Sequence, residues 1–164
     1  MLATQGYAAS RDVGFAPSIG AGGATNYRAG DTADHMRIKT VNRDSKNENR
    51  VIVTVEIDRG FHINANPASL DYLIPTTLNI TNQAPRRVVY PSPVLFKPKF
   101  ADEALEVYEG TVQIAAEFPQ GLLLRVSNLF GTVTAQACTE TICLPPAALP
   151  LAWHGSMPDR PTPP

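Results

Sequence analysis

Residues 50–58, RVIVTVEID, alternate strictly: Val51, Val53, Val55 and Ile57 take every second place, with Thr54, Glu56 and Asp58 between them. Successive side chains of an extended strand point to opposite faces, so a period of two marks a strand with one apolar and one wet face. The pattern recurs along the chain. GTVQIAAEF repeats it with Val112, Ile114, Ala116 and Phe118, and LLLRVSN with Leu122, Leu124 and Val126. TVTAQAC does so with Val133, Ala135 and Ala137, and ALPLAWH with Leu149, Leu151 and Trp153. HMRIKTV, TTLNIT and RRVVY are shorter candidates, while DRG (58–60), PQG (119–121) and SNLFG (127–131) read as turns. ADEALEVYEG reads as one helical turn or as an edge strand around Val107 and Tyr108. About eight short strands joined by such turns predict an all-β chain folded as an immunoglobulin-like antiparallel β-sandwich, without the Cys…Trp…Cys pattern of antibody domains.

A chain of 164 residues suits one domain, which we place at 31–155. Residues 1–30 are rich in Gly, Ala and Ser without a sustained period and read as a flexible arm or linker. SMPDRPTPP, 156–164, reads as a Pro-rich tail or linker. Fourteen Lys and Arg against fifteen Asp and Glu give neither a basic field nor an acidic tail, which argues against a nucleic-acid partner. No run of eighteen apolar residues is present to span a membrane. MLATQGYAAS lacks the basic start and apolar core of a secretory signal, so an exported protein would be represented here by a processed or excised form.

The two cysteines, Cys138 and Cys143, stand five positions apart in AQACTETICLPP. Alternation in TVTAQAC puts Cys138 opposite Val133, Ala135 and Ala137, away from the core, and TETI reverses the chain so that Cys143 begins the return. A hairpin of this size can bring the sulfur atoms together, although spacing alone does not guarantee disulfide geometry, and three readings follow. As a staple, a disulfide closing a loop of about six residues contributes only around 2 kcal/mol in the chain-entropy model. As a redox pair, a bond exposed in a tight hairpin is better placed for exchange than for reinforcement. A metal site would need His35, His62 or His154, which are scattered, and C-x4-C is looser than zinc spacings. Elsewhere, His62 and Asn64 share one side of an extended segment, and His62 is suited to stabilising a thiolate or moving a proton. YPSPVLFKPKF, 90–100, carries three prolines around Phe96, a rigid backbone with an apolar tip that suits a flap.

CTETICLPP after TVTAQA resembles the C-terminal cysteine motif of the N-terminal periplasmic domain of DsbD-type thiol:disulfide interchange proteins. RGFHINANPASLDYLIPTTLNI resembles the family's Gly-aromatic segment and following Pro-Thr strand. VVYPSPVLFKP, followed by LEVYEGTVQIAAEF, resembles its "YP…F…YEG" region. These blocks lie in the family's order over roughly residues 50–150. The resemblance implies an immunoglobulin-like fold and a periplasmic domain that relays reducing equivalents without a bound cofactor. It implies thioredoxin-like protein domains as electron donor and acceptor, and a membrane-embedded domain of the same full-length protein. It also implies Cys143 as the sulfur exchanging with partners, Cys138 as the resolving one, and a cap loop with Phe96 over the disulfide. Phe61, His62 and Asn64 match the positions beside the cysteines. Two departures stand out: C-x4-C is one residue shorter than in the best-known members, and Tyr90, Pro91 and Ser92 replace the acidic residues of some cap loops. The alternative function is a non-catalytic β-sandwich interaction or metal-binding module with a structural hairpin disulfide.

Overall fold

The computed structural model describes residues 30–155; the arm expected at 1–30, apart from Gly30, and the tail at 156–164 lie outside the described residues. Eleven strands appear among those described: β1 (Met36–Arg43), β2 (Arg50–Ile57), β3 (His62–Asn64), β4 (Thr77–Ile80), β5 (Arg87–Val89), β6 (Val94–Phe96), β7 (Leu105–Tyr108), β8 (Thr111–Glu117), β9 (Asn128–Ala135), β10 (Ala137–Cys138) and β11 (Ala147–His154). All pairings are antiparallel, in sheets ordered β1-β2-β8-β5, β10-β3-β7-β6 and β11-β9-β4. The fold is an immunoglobulin-like β-sandwich, as the alternation predicted.

The core follows from that alternation. Val51, Val53, Val55 and Ile57 of β2 and Ile114 and Ala116 of β8 are buried, and they share one cluster with Leu78, Leu129, Val133, Leu151 and Trp153 from the sheet opposite. The intervening polar residues pair on the wet face, where Arg37 of β1 reaches Glu56 at 2.7 Å and Asp58 at 2.8 Å. Turns fall at DRG and PQG, and Gly60 and Gly121 adopt positive φ of 86° and 73°, a backbone that side-chain-bearing residues avoid.

Three local expectations are corrected. LLLRVSN is not a strand: Leu122–Leu124 form one 3₁₀ turn opened by Gly121, with Leu123 buried and Leu124 exposed. The left-handed glycine turns the chain into a helical hydrogen-bond pattern (Leu122 N–H to Pro119 O) before any strand partner is met. SNLFG is not a turn, because β9 runs through it. Gly131 is there for close approach: a Cβ at that position would lie 2.2 Å from the Asn79 carbonyl oxygen of β4. ADEALEVYEG contributes β7, which lies inside its sheet between β3 and β6 and not at an edge.

The sheet β10-β3-β7-β6 positions the cysteines. β9 and β10 are separated only by Gln136, where the chain passes from one sheet to another. Ile63 and Tyr108, directly opposed, face the main core, while Leu105 and Val107 face a second, smaller cluster with Leu73. This sheet is therefore apolar on both faces.

Candidate functional site

Cys138 and Cys143 form a disulfide with an S–S distance of 2.05 Å and Cα atoms 4.0 Å apart. They are directly opposed across the hairpin. Hydrogen bonds flank them on either side, from Thr139 N–H to Ile142 O and from Leu144 N–H to Ala137 O, both 2.8 Å. That arrangement leaves the cysteines as a non-hydrogen-bonded pair, the kind whose side chains approach most closely. The Thr139 hydroxyl accepts from Thr141 and Ile142 N–H and tightens the tip.

The expectation that Cys138 is exposed is corrected: it is 0% exposed, whereas Cys143 is half-buried. Alternation correctly sends Cys138 away from the main core, but that second face is dry. Phe96, Ala101 and Cys143 pack there against Leu73, Leu105 and Val107. A period of two assigns a face and is silent on what covers it.

Pairing register places His62 opposite Cys138 on β3. The His62 ring packs against Phe96 with centroids 4.2 Å apart. His62 is 2% exposed, and burial pushes its pKa down to about 4. The ring is thus neutral at neutral pH and not a cation beside the cysteines. Its Nε2 has no hydrogen-bond partner among the described residues. Asn64, two residues on, donates to Ile74 O at 3.0 Å and to Gln136 Oε1 at 3.3 Å, leaving its own Oδ1 unpaired. Phe61 turns elsewhere and stacks on His35 at 3.8 Å. It still borders the same open cleft of ≈ 490 Å³ as His62, Phe96 and Glu140 at the hairpin tip. A second cleft, of ≈ 560 Å³, lies around Arg86, Arg87 and Glu117 and includes none of these residues.

β6 is the outer strand of its sheet and carries Phe96. The loop after it joins the hairpin tip: Lys99 N–H donates to Glu140 O at 2.8 Å, and Lys99 Nζ meets Glu140 Oε2 at 3.0 Å. Leu95, Phe100 and Ile142, on these flanking segments, are exposed apolar side chains, Leu95 at 75%.

Two residues escaped the sequence reading. Thr32 is wholly buried; its hydroxyl donates to Pro145 O and accepts from Ala137 N–H, both at 2.8 Å, clasping the base of the hairpin. Gln136 accepts from Asn64 and Ile74 N–H and donates to Leu144 O. Its one available signal was a long polar side chain among alanines just before Cys138. The three histidines stay apart in their contacts: His35 pairs with Asp58, His154 bonds Asn128 and His62 meets Phe96. No cluster of three metal-ligating side chains occurs among the described residues.

The family described as "Thiol:disulfide interchange protein DsbD, N-terminal" matches residues 32–149. Among solved structures, the reduced N-terminal domain of DsbD from Neisseria meningitidis is similar at 14% identity, covering 71% of this chain and 87% of that one, with a TM-score of 0.49. The N-terminal periplasmic domain of ScsB from Proteus mirabilis is similar at 19% identity, covering 72% of this chain and 46% of that one, also with a TM-score of 0.49. No curated protein matches the chain.

Proposed function

The chain belongs to the family of N-terminal domains of DsbD-type thiol:disulfide interchange proteins, and from that premise we propose that it relays reducing equivalents in the periplasm through Cys138 and Cys143. The observation that carries the reading is the asymmetry of the pair: Cys138 is sealed, Cys143 is only partly buried, and neither belongs to the main core. A sulfur that must be approached in line with its S–S bond needs one open side, and the partial exposure of Cys143 beside the sealed Cys138 supports Cys143 in that role.

In the reduced protein the Cys143 thiolate attacks one sulfur of an oxidised partner. This forms a mixed disulfide and releases the partner's other sulfur as a thiolate. The Cys138 thiolate then attacks Cys143 Sγ, closing the disulfide seen here and expelling the partner's second thiolate. The partner gains two electrons and two protons, and the pair loses them. A donor dithiol reverses the sequence: one donor thiolate attacks Cys143 Sγ and releases the Cys138 thiolate, then the donor's second thiolate attacks the donor sulfur of that mixed disulfide, closing the donor disulfide and releasing Cys143. His62 supplies a neutral hydrogen-bonding group beside Cys138, and Phe96 covers the bond until a partner engages. The donor and acceptor are thioredoxin-like domains, which meet the exposed Leu95, Phe100 and Ile142, and a membrane-embedded domain of the same full-length protein belongs to the relay.

Single-cysteine variants test this. With Cys138→Ala, the remaining Cys143 should trap a mixed disulfide with a thioredoxin-like protein; with Cys143→Ala, Cys138 should trap far less. Equal trapping removes the polarity, and trapping by Cys138 alone reverses it. A reduction potential above about −300 mV supports exchange, and one below it supports a structural staple.

A further inference from the structure

Reduction of the disulfide removes the covalent tie between the two arms of the hairpin. Re-forming it depends on what else holds Cys143 opposite Cys138. The backbone contributes Thr139 to Ile142 and Leu144 to Ala137. Side chains add three ties: the Thr139 hydroxyl accepts from Ile142 N–H at the tip, Thr32 bonds Ala137 and Pro145 at the base, and Gln136 Nε2 donates from the outgoing arm to O of Leu144, the residue after Cys143, at 3.3 Å. The other end of the same carboxamide is pegged in place, since Oε1 accepts from Asn64 Nδ2 at 3.3 Å and from Ile74 N–H at 3.2 Å. Asn64 belongs to β3, the strand that carries His62 opposite Cys138. Gln136 thus joins three segments: β3, the 66–76 loop and the arm that bears the exchanging sulfur.

We propose that Gln136 is a positioning residue for the thiol–disulfide reaction, holding Leu144, and through it Cys143, at bonding distance from Cys138 when the pair is reduced. It touches neither sulfur. Its effect is on effective concentration: a return arm that is pre-placed makes ring closure of the dithiol more favourable, and the closed disulfide in turn favours the Gln136 bonds. Loss of the tie leaves the oxidised form held by its covalent bond while the reduced arm gains freedom. The disulfide then becomes easier to reduce and slower to close. Both halves of the carboxamide are needed, because the oxygen sets the position from which the amide reaches Leu144.

The proposal rests on the interchange reading, and the test separates the two. The oxidised 164-residue chain is equilibrated with reduced and oxidised dithiothreitol, in the reaction disulfide plus dithiol to dithiol plus cyclic disulfide, and the constant is measured for wild type, Gln136→Ala, Gln136→Glu and Ile80→Val. Gln136→Glu keeps the acceptor and removes the donor to Leu144 O. Ile80→Val is a core control placed away from the hairpin. Wild type itself judges the interchange reading by its potential; the ratios judge Gln136. Both Gln136 variants should shift the constant toward the reduced protein by about three- to ten-fold, the range expected for one or two lost net hydrogen bonds, while Ile80→Val leaves it unchanged. Overturning results are a ratio within two-fold of wild type for Gln136→Glu, or an equal shift in Ile80→Val. Either would make Gln136 an ordinary packing residue of the sheet crossing.

Discussion

At the scale of single residues, His62 carries a pH signature. Its pKa is pushed down to about 4 in the folded protein by burial, against an ordinary value of 6.5. Between those values the unfolded chain binds the proton and the folded one does not, so stability falls as pH drops from about 6.5 toward 4 and this contribution levels off below. Urea unfolding at pH 7 and pH 5 should differ by about 2 kcal/mol from this residue alone, and His62→Gln should flatten that difference. An equally steep dependence in the variant would place its origin elsewhere. Phe96 is the neighbouring test. Phe96→Ala should speed reduction by dithiothreitol several-fold, and because the ring is only half-buried its stability cost should stay below the about 3–5 kcal/mol of a core phenylalanine. An unchanged rate with a loss of that full size would assign Phe96 to packing alone.

At the scale of elements, the hairpin depends on a residue far away in sequence. Thr32 satisfies Ala137 N–H and binds Pro145 O from a buried position. Thr32→Val keeps the shape and strands a buried N–H, which should cost about 1–3 kcal/mol in the urea midpoint. Thr32→Ser should recover most of it, and a neutral Thr32→Val would show that the clasp contributes nothing. Strand β9 offers a steric counterpart. Gly131→Ala sets a Cβ 2.2 Å from the Asn79 carbonyl of β4, so the pair of strands must separate, with an expected loss of about 1–3 kcal/mol. Retained stability in that variant would mean that β4 yields freely.

At the scale of the whole molecule, the main core forms without either cysteine side chain. It takes residues from β1, β2, β3, β4, β7, β8, β9, β10 and β11, Ala137 beside Cys138 among them. The disulfide closes a loop of about six residues, worth around 2 kcal/mol. Reduction, or Cys138→Ala with Cys143→Ala together, should therefore leave a cooperatively folded domain with a modestly lower urea midpoint. Loss of the cooperative transition on reduction would show instead that the bond is a staple. A domain that keeps its shape in both redox states is what repeated exchange requires.

The period of two in RVIVTVEID, GTVQIAAEF and ALPLAWH determined the strands, their buried faces and the sandwich, because face assignment is a local property of extended backbone. The CTETIC spacing allowed a hairpin with two sulfurs in reach, while the disulfide itself was settled by the opposed register of Cys138 and Cys143. Pattern misled twice: locally, Gly121 drew Leu122–Leu124 into a 3₁₀ turn, and at long range, pairing with β4 and β11 drew SNLFG into β9. What covers a face is decided by elements distant in sequence. The burial of Cys138, the neutral His62 held against Phe96 of β6, and the anchoring of the hairpin by Thr32 and Gln136 all rest on contacts between segments distant in sequence. Those contacts depend on sheet order and register, which alternation along one strand does not encode, so the tertiary structure alone decided them.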